Sequence, residues 1–377
     1  MDLITLILFI IGFVLLITGA EFLVRGASKL AIAIGISPLV VGLTVVAYGT
    51  SAPELAVTIQ ATFAGQSDLA LGNVVGSNIS NVLLVLGLSA VLGSLLVAQK
   101  LVRFEIPLMI ALSVLILLIG LDGVIGWIDG LILFGGAMAY TFFVIRQSRK
   151  ENKLIQAEYE QEFDGQKAKI LGPLDLLRQA GLIVLGLGML ILGSKWLIDG
   201  AVATAEFLGV SQLIIGLTVV AVGTSLPEIA TSVIASIRGE RDIAVGNVVG
   251  SNIFNILSVL GLTGIIAPTG VLVSTAALSF DIPVMIVVAV ACLPIFFTNY
   301  SIDRWEGFLF LGYYAAYTAY LYLQATQHDA LPMFNGVMLL FVTPITIITI
   351  VIVVVRNIQA NRQTLVKESI PLPSDKA

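Results

Sequence analysis

One cysteine, Cys292, and one histidine, His328, occur in 377 residues. A single cysteine forms no internal disulfide, and it leaves the redox compartment unread. Zinc and copper sites draw on several His or Cys ligands, so the composition speaks against a soft-metal centre. Oxygen ligands for a hard cation remain available. Charge is scarce as well: Asp, Glu, Lys and Arg make up 11% of the chain, against about a quarter in an ordinary soluble domain. Hydrophobic residues make up 58%, and the mean hydropathy is +1.04. Such a chain cannot cover itself with polar surface, so lipid is its solvent. No nucleotide-binding P-loop is present, which argues against ATP-driven transport. The expected partners are the lipid bilayer and small ions, with neither nucleic acid nor ATP. The first apolar run, from Leu3, has no basic region before it and continues past Ile17, so it reads as a span rather than a signal peptide.

What is there in abundance is long apolar runs. They predict eleven spans over roughly 3–24, 38–62, 69–97, 104–121, 126–146, 180–199, 212–236, 243–267, 281–298, 304–323 and 334–355. The chain also repeats itself. Gly42 to Glu54 (GLTVVAYGTSAPE) matches Gly216 to Glu228 (GLTVVAVGTSLPE), and Gly72 to Ile79 matches Gly246 to Ile253 without a change. Between Gly42 and Leu88 about 30 of roughly 47 positions equal their partners. Each repeat holds five spans, and an odd number forces the second repeat to enter the membrane from the opposite side. The predicted fold is an all-α polytopic membrane protein: two inverted-topology five-helix repeats forming a ten-helix core, plus one extra C-terminal transmembrane helix. The predicted organisation is a first repeat at 1–147, a cytoplasmic loop at 148–172, a second repeat at 173–325, and the extra helix with a flexible tail at 326–377.

Basic residues set the expected orientation. With Arg149, Lys150, Lys153, Lys167 and Lys169 of the central stretch in the cytoplasm, Arg25, Lys29, Lys100, Arg103, Arg238, Arg241, Arg304 and Arg356 also fall inside. The N-terminus is then outside and the C-terminus cytoplasmic. The compact, prokaryotic-like size places the chain in the plasma (inner) membrane.

Two glutamates, Glu54 and Glu228, lie deep in apolar segments. A carboxylate at membrane depth costs several kcal/mol, and such residues are functional candidates by default. Each follows a proline, Pro53 or Pro227, which removes a backbone donor and bends or breaks its helix. Carbonyls near Ala47 and Ala221 are expected to face a cation, with the hydroxyls of Thr50, Ser51, Thr224 and Ser225 within one turn of the glutamates. For a single copy, a kinked helix with a protonated glutamate is a fair alternative. Two copies at matched positions favour a shared ion site. Ser77 and Asn81, four residues apart, share a helix face, as do Ser251 and Asn255. Close helix packing and interhelical hydrogen bonds could account for them, or they line the same cavity. Carboxylates, hydroxyls, amide oxygens and carbonyls together make an oxygen cage suited to calcium, and the same carboxylates can hold sodium or protons. Other charges read as structural. Glu21–Arg25 and Lys195–Asp199 have intrahelical pair spacing, and Asp68 and Asp242 look like helix N-caps. Glu105 and Asp281 sit near helix starts.

In these motifs the sequence resembles the cation/calcium exchanger superfamily, specifically the prokaryotic sodium/calcium exchangers. The paired Gly-Thr-Ser-X-Pro-Glu and Gly-Ser-Asn-Ile-X-Asn segments are similar to that family's two alpha repeats, over about the first 325 residues. The resemblance implies a ten-helix inverted core with four ion sites at mid-membrane and no cofactor, calcium and sodium being cargo. It implies that Glu54 and Glu228 bind both ions. Thr50, Ser51, Ser77, Thr224, Ser225, Ser251 and the carbonyls of Ala47 and Ala221 would complete the sodium sites. It further implies that spans 3–24 and 180–199 slide past the rest. Two departures stand out. Potassium-dependent relatives, and some prokaryotic ones, carry aspartate where this chain has Asn255, and the eleventh span is additional. The acidic residue usual in proton-coupled exchangers is also missing at Asn81 and Asn255. The expected function is therefore sodium/calcium antiport. A calcium/proton or other cation antiporter is the alternative, and a channel or intramembrane enzyme comes last.

Overall fold

The computed structural model describes residues 3–162, 173–208, 221–297 and 300–368. Residues 212–220 of the predicted seventh span, residues 163–172 of the central stretch and the tail beyond 368 lie outside the described residues. The chain is helical almost throughout. The helices are α1 (Leu3–Ile34), α2 (Pro38–Thr50), α3 (Ala52–Phe63), α4 (Ser67–Leu92), α5 (Leu101–Asp122) and α6 (Trp127–Glu162). They continue with α7 (Pro173–Phe207), α8 (Leu226–Ile237), α9 (Arg241–Ile266), α10 (Ala277–Phe297), α11 (Arg304–Ala325) and α12 (Leu331–Val355), whose helix runs on to Glu368. Among the described residues, eight helices are long and apolar enough to cross a membrane, nine when the bent pair α2 and α3 counts as one span. α11 adds 22 residues, about 33 Å of helix against a hydrocarbon core of about 30 Å. It carries Tyr313, Tyr314, Tyr317, Tyr320 and Tyr322, and so is less apolar than the others.

Two helices extend beyond their predicted ends. α6 continues through the polar stretch to Glu162, and the last helix continues through the expected flexible tail to Glu368. Both extensions are rich in Gln, Glu, Lys and Arg, contain no Gly or Pro, and so keep the helix going past the membrane boundary. Asp68 and Asp242 are not N-caps. The caps are Gln66 and Glu240, and the aspartates sit inside the first turn, where their charge still suits the helix dipole. Glu105 and Asp281 lie one turn inside their helices, which begin earlier than predicted, at Leu101 and Ala277. Glu105 is buried, and the Asp281 carboxylate accepts the Tyr317 hydroxyl at 3.3 Å.

The directions of the first helices of the two halves agree with an inverted repeat. α1 packs along α7 with Gly12 against Gly193, Gly19 against Gly186 and Gly26 against Gln179, so these counterparts run antiparallel. The approach is so close that a Cβ at Gly19 would lie 2.8 Å from the Gly186 carbonyl oxygen. Short strands repeat the relation at the two ends of the bundle. β1 (Leu95–Leu96) pairs antiparallel with β4 (Ser301–Ile302), and β2 (Val124–Ile125) pairs with β3 (Val271–Leu272). By the repeat offset β1 corresponds to β3 and β2 to β4, so the pairs are equivalents that join the two halves. The most enclosed spans are α4 and α9, at 78% and 83% buried, and they form the centre of the protein. α12 buries none of its span window. It touches the core through Ile350 and through the Tyr313 hydroxyl, 2.8 Å from Thr346 Oγ1.

Candidate ion-binding site

The site begins with a break in a helix. Pro53 has no N–H to give to the Gly49 carbonyl, and its ring crowds the preceding turn. α2 and α3 accordingly meet at Ser51 (φ −81°, ψ 6°) with a bend of 41°. Pro227 does the same in the second half, where Ser225 has φ −84° and ψ 5° between the turn Ala221–Gly223 and α8. Each break puts a glutamate in the first turn of the helix that follows, Glu54 in α3 and Glu228 in α8. There the positive end of the helix dipole favours an anion. The local backbone differs between the copies. The Ser51 amide donates to the Ala47 carbonyl at 3.0 Å, whereas the Ser225 amide donates to the Val222 carbonyl at 3.1 Å.

α2 of the first half lies parallel to α9 of the second, with Gly42 against Ile243 and Gly250 against Leu43 and Ala47. This contact carries Thr50 to the second repeat. Its hydroxyl donates to Asn247 Oδ1 at 3.1 Å, lies 3.5 Å from Ser251 Oγ, and reaches the Ala47 carbonyl at 3.4 Å. Ser51 donates to Glu228 Oε1 at 3.4 Å, again across the repeats. Ser77 sits beside Glu54, and Glu228 is close enough for the two carboxylates to interact. Thr50, Ser51, Glu54, Ser77, Asn81, Thr224, Ser225, Glu228, Ser251 and Asn255 are all buried, as is Ala47. Ala221 opens the short turn that precedes Thr224.

The pairing of these groups is incomplete in an informative way. Both carboxylate oxygens of Glu54, Oε2 of Glu228, the Ser225 hydroxyl, and the Oδ1 atoms of Asn81 and Asn255 are buried without a hydrogen-bond partner in the protein. Buried acceptors left unpaired are rare in native proteins. Carboxylates in that condition call for a cation or a proton. Among the described residues no group of three or more His, Cys, Asp or Glu side chains gathers. Neutral oxygens must therefore supply the rest of any coordination shell, which fits a hard cation.

Four asparagines that the sequence does not single out support the site. Asn73 Nδ2 donates to the Glu54 backbone oxygen at 3.1 Å and to Thr58 at 2.9 Å, clipping α3 to α4. Its counterpart Asn247 donates to Ser232 at 3.0 Å and clips α8 to α9. Asn78 and Asn252 join the two halves directly. The signal that could have found them was the unbroken identity of 72–79 with 246–253, which includes all four. The repeats differ where Tyr48 replaces Val222 and Phe254 replaces Ser80. Those two rings, one from each half, meet with centroids 3.7 Å apart at a tilt of 37°, and Ser258 donates to the Tyr48 hydroxyl at 3.3 Å.

Comparison with known proteins agrees with this geometry. The family described as sodium/calcium exchanger protein matches residues 4–146 and 178–323. The chain belongs to the sodium/calcium exchanger family. Inner membrane protein YrbG of Escherichia coli K12 is 38% identical over 84% of this chain and 96% of its own length. Sodium/calcium exchanger MaX1 of Methanosarcina acetivorans is 32% identical over 84% of this chain and 98% of its own. Among solved structures, the sodium-calcium exchanger NCX_Mj soaked with sodium and calcium superposes with a TM-score of 0.70 at 29% identity, covering 87% of this chain and 99% of that one. The protein is thus a multi-pass membrane antiporter of cations, and not an enzyme. The family match ends at residue 323, so α12 lies beyond it.

Proposed function

We propose that this exchanger carries sodium against calcium, and that both ions compete for one site built on Glu54 and Glu228. The observation that carries the reading is the pair of buried carboxylates, one from each half, with three of their four oxygens unpaired. Two negative charges neutralise one calcium ion, and sodium ions relieve the same desolvation penalty. An empty, doubly charged site resists crossing the membrane. That penalty couples the two fluxes. The hydroxyls of Thr50, Ser51, Ser77, Thr224, Ser225 and Ser251, the amide oxygens of Asn81 and Asn255, and the carbonyls of Ala47 and Ala221 are the proposed neutral ligands. Calcium takes about 6–8 oxygens, so this set is ample for one calcium or for several sodium ions in turn.

The burial of every one of these side chains suits an occluded state, with access alternating between the two faces. Two surface hollows lie at equivalent turns: one of about 640 Å³ beside Gly65–Asp68, one of about 340 Å³ beside Gly239–Asp242. Neither includes a glutamate of the site. In the proposed orientation the N-terminus is outside and the basic connectors face the cytoplasm of a cell bounded by the plasma (inner) membrane.

The test is radioactive calcium uptake into sodium-loaded proteoliposomes, with pH and potassium gradients varied separately. Uptake should require internal sodium and be indifferent to a pH gradient. Uptake that follows the pH gradient alone would replace sodium with protons as the counter-ion. Removing one carboxylate charge about 4 Å from a cation, at an effective dielectric constant near 20, costs roughly 4 kcal/mol per unit of cation charge. Calcium carries two charges, so Glu54→Gln and Glu228→Gln should each weaken calcium exchange by more than about 1,000-fold, in effect abolishing it, while the protein still inserts and folds. Normal exchange by either variant would sink the proposed site.

A further inference from the structure

We propose that Asn78 and Asn252 are positioning residues: they fix the amides of Asn81 and Asn255 with the oxygens free for the ion. The proposal rests on the reading of Glu54 and Glu228 as an ion site.

The argument runs outward from the backbone. Asn78 Nδ2 donates to the Asn252 main-chain oxygen at 3.3 Å and lies 3.6 Å from Met285 Sδ. Asn252 Nδ2 donates to the Asn78 main-chain oxygen at 3.3 Å and lies 3.4 Å from Met109 Sδ. An amide nitrogen has two hydrogens and no acceptor capacity, while a carbonyl oxygen only accepts. Shape alone does not tell the two ends of an asparagine amide apart, but hydrogen-bond partners do. Here the main-chain oxygens dictate that nitrogen faces them. Both side-chain oxygens must then point the other way. Asn78 Oδ1 accepts from Asn255 Nδ2 at 3.1 Å, and Asn252 Oδ1 accepts from Asn81 Nδ2 at 3.0 Å. The second pair of amides is thereby oriented in turn, and its oxygens are the ones left buried without a donor.

The placement of those oxygens suits an ion. Asn81 and Asn255 stand one turn from Ser77 and Ser251 on the same helix faces. Ser77 is beside Glu54, and Ser251 is beside Thr50. At both asparagines the helix widens into π-turns, Asn81–Leu86 and Asn255–Leu260, a local geometry frequent at functional sites.

The test uses the full-length exchanger in proteoliposomes, reading the KM and the maximal rate of sodium-driven calcium uptake. Asn255→Ala and Asn78→Ala should each raise the calcium KM by roughly tenfold, with the maximal rate per folded transporter within about twofold of wild type. If Asn78 acts through Asn255, the double variant should be no worse than the single Asn255→Ala within about twofold. Additive KM effects, or a lowered maximal rate with an unchanged KM, would overturn the proposal. Should Asn78→Ala not fold, Asn252→Ala with Asn81→Ala runs the same comparison in the other half. Normal exchange by Glu54→Gln would remove the ion-site reading itself. An inactive Glu54→Gln beside additive asparagine variants would remove only the positioning role.

Discussion

Gly250→Ala adds one methyl group where α9 lies against α2. That methyl would sit 2.7 Å from the Leu43 carbonyl oxygen, 2.8 Å from Leu43 Cα and 2.8 Å from the Ala47 Cβ. Two of these contacts are main chain, so no side chain can swing aside, and ordinary contact lies near 3.5–4 Å. α2 must therefore move away from α9 by about 0.7–1 Å, and overpacking of this kind typically costs about 1–3 kcal/mol. The same displacement separates Thr50 from Asn247 and Ser251, which now lie 3.1 and 3.5 Å from it, and carries both beyond hydrogen-bonding distance. The two lost hydrogen bonds are worth about 0.5–1.5 kcal/mol each, and since each 1.4 kcal/mol is a factor of ten, calcium affinity should fall by roughly 5- to 150-fold. The assay is the calcium KM for sodium-driven uptake, with thermal stability measured in parallel. Gly312→Ala serves as control, because a Cβ there meets nothing within 4 Å. A Gly250→Ala variant with wild-type KM and stability would show that α2 and α9 do not meet as closely as described, and the derivation of the site from that contact would fail.

Removal of residues 331–377 should leave exchange intact, with a calcium KM within about twofold of the full chain, because α12 buries none of its span window and lies beyond the family match. Flux by the truncated chain checks this, and loss of coupled uptake would give α12 a part in the mechanism. Cys292 is fully buried, with Sγ 3.6 Å from the Val288 carbonyl oxygen. A maleimide should leave the native protein unlabelled and modify it completely in denaturant. Rapid labelling of the native protein would mean that α10 packs differently from the arrangement described.

Much of the site was legible because membrane depth makes polar residues conspicuous. Glu54 and Glu228 stood out against apolar surroundings, and their repetition after Pro53 and Pro227 pointed to two broken helices. Breaks at Ser51 and Ser225 follow from proline chemistry that needs no tertiary knowledge. The helix ends were less legible. The extensions to Glu162 and Glu368 are polar, and hydropathy marks where lipid ends rather than where hydrogen-bonded helix ends. Asn78 and Asn252 went unnoticed because an asparagine in a small-residue helix reads equally well as a packing residue.

Composition and repetition, then, determined by themselves that this chain lives in lipid, that its halves repeat one another, and that each half places a carboxylate within an apolar segment. These are properties of single segments and of their order, and each follows from the cost of polar groups in hydrocarbon. Tertiary structure alone decided which oxygens meet. Thr50 reaches Asn247 and Ser251, Ser51 reaches Glu228, and Asn78 locks Asn255, all between residues more than 170 positions apart. The repeat offset says only that such residues are equivalent. Which of them touch depends on the parallel packing of α2 on α9, and a hydrogen bond is fixed by distances of a few tenths of an ångström that no sequence pattern specifies.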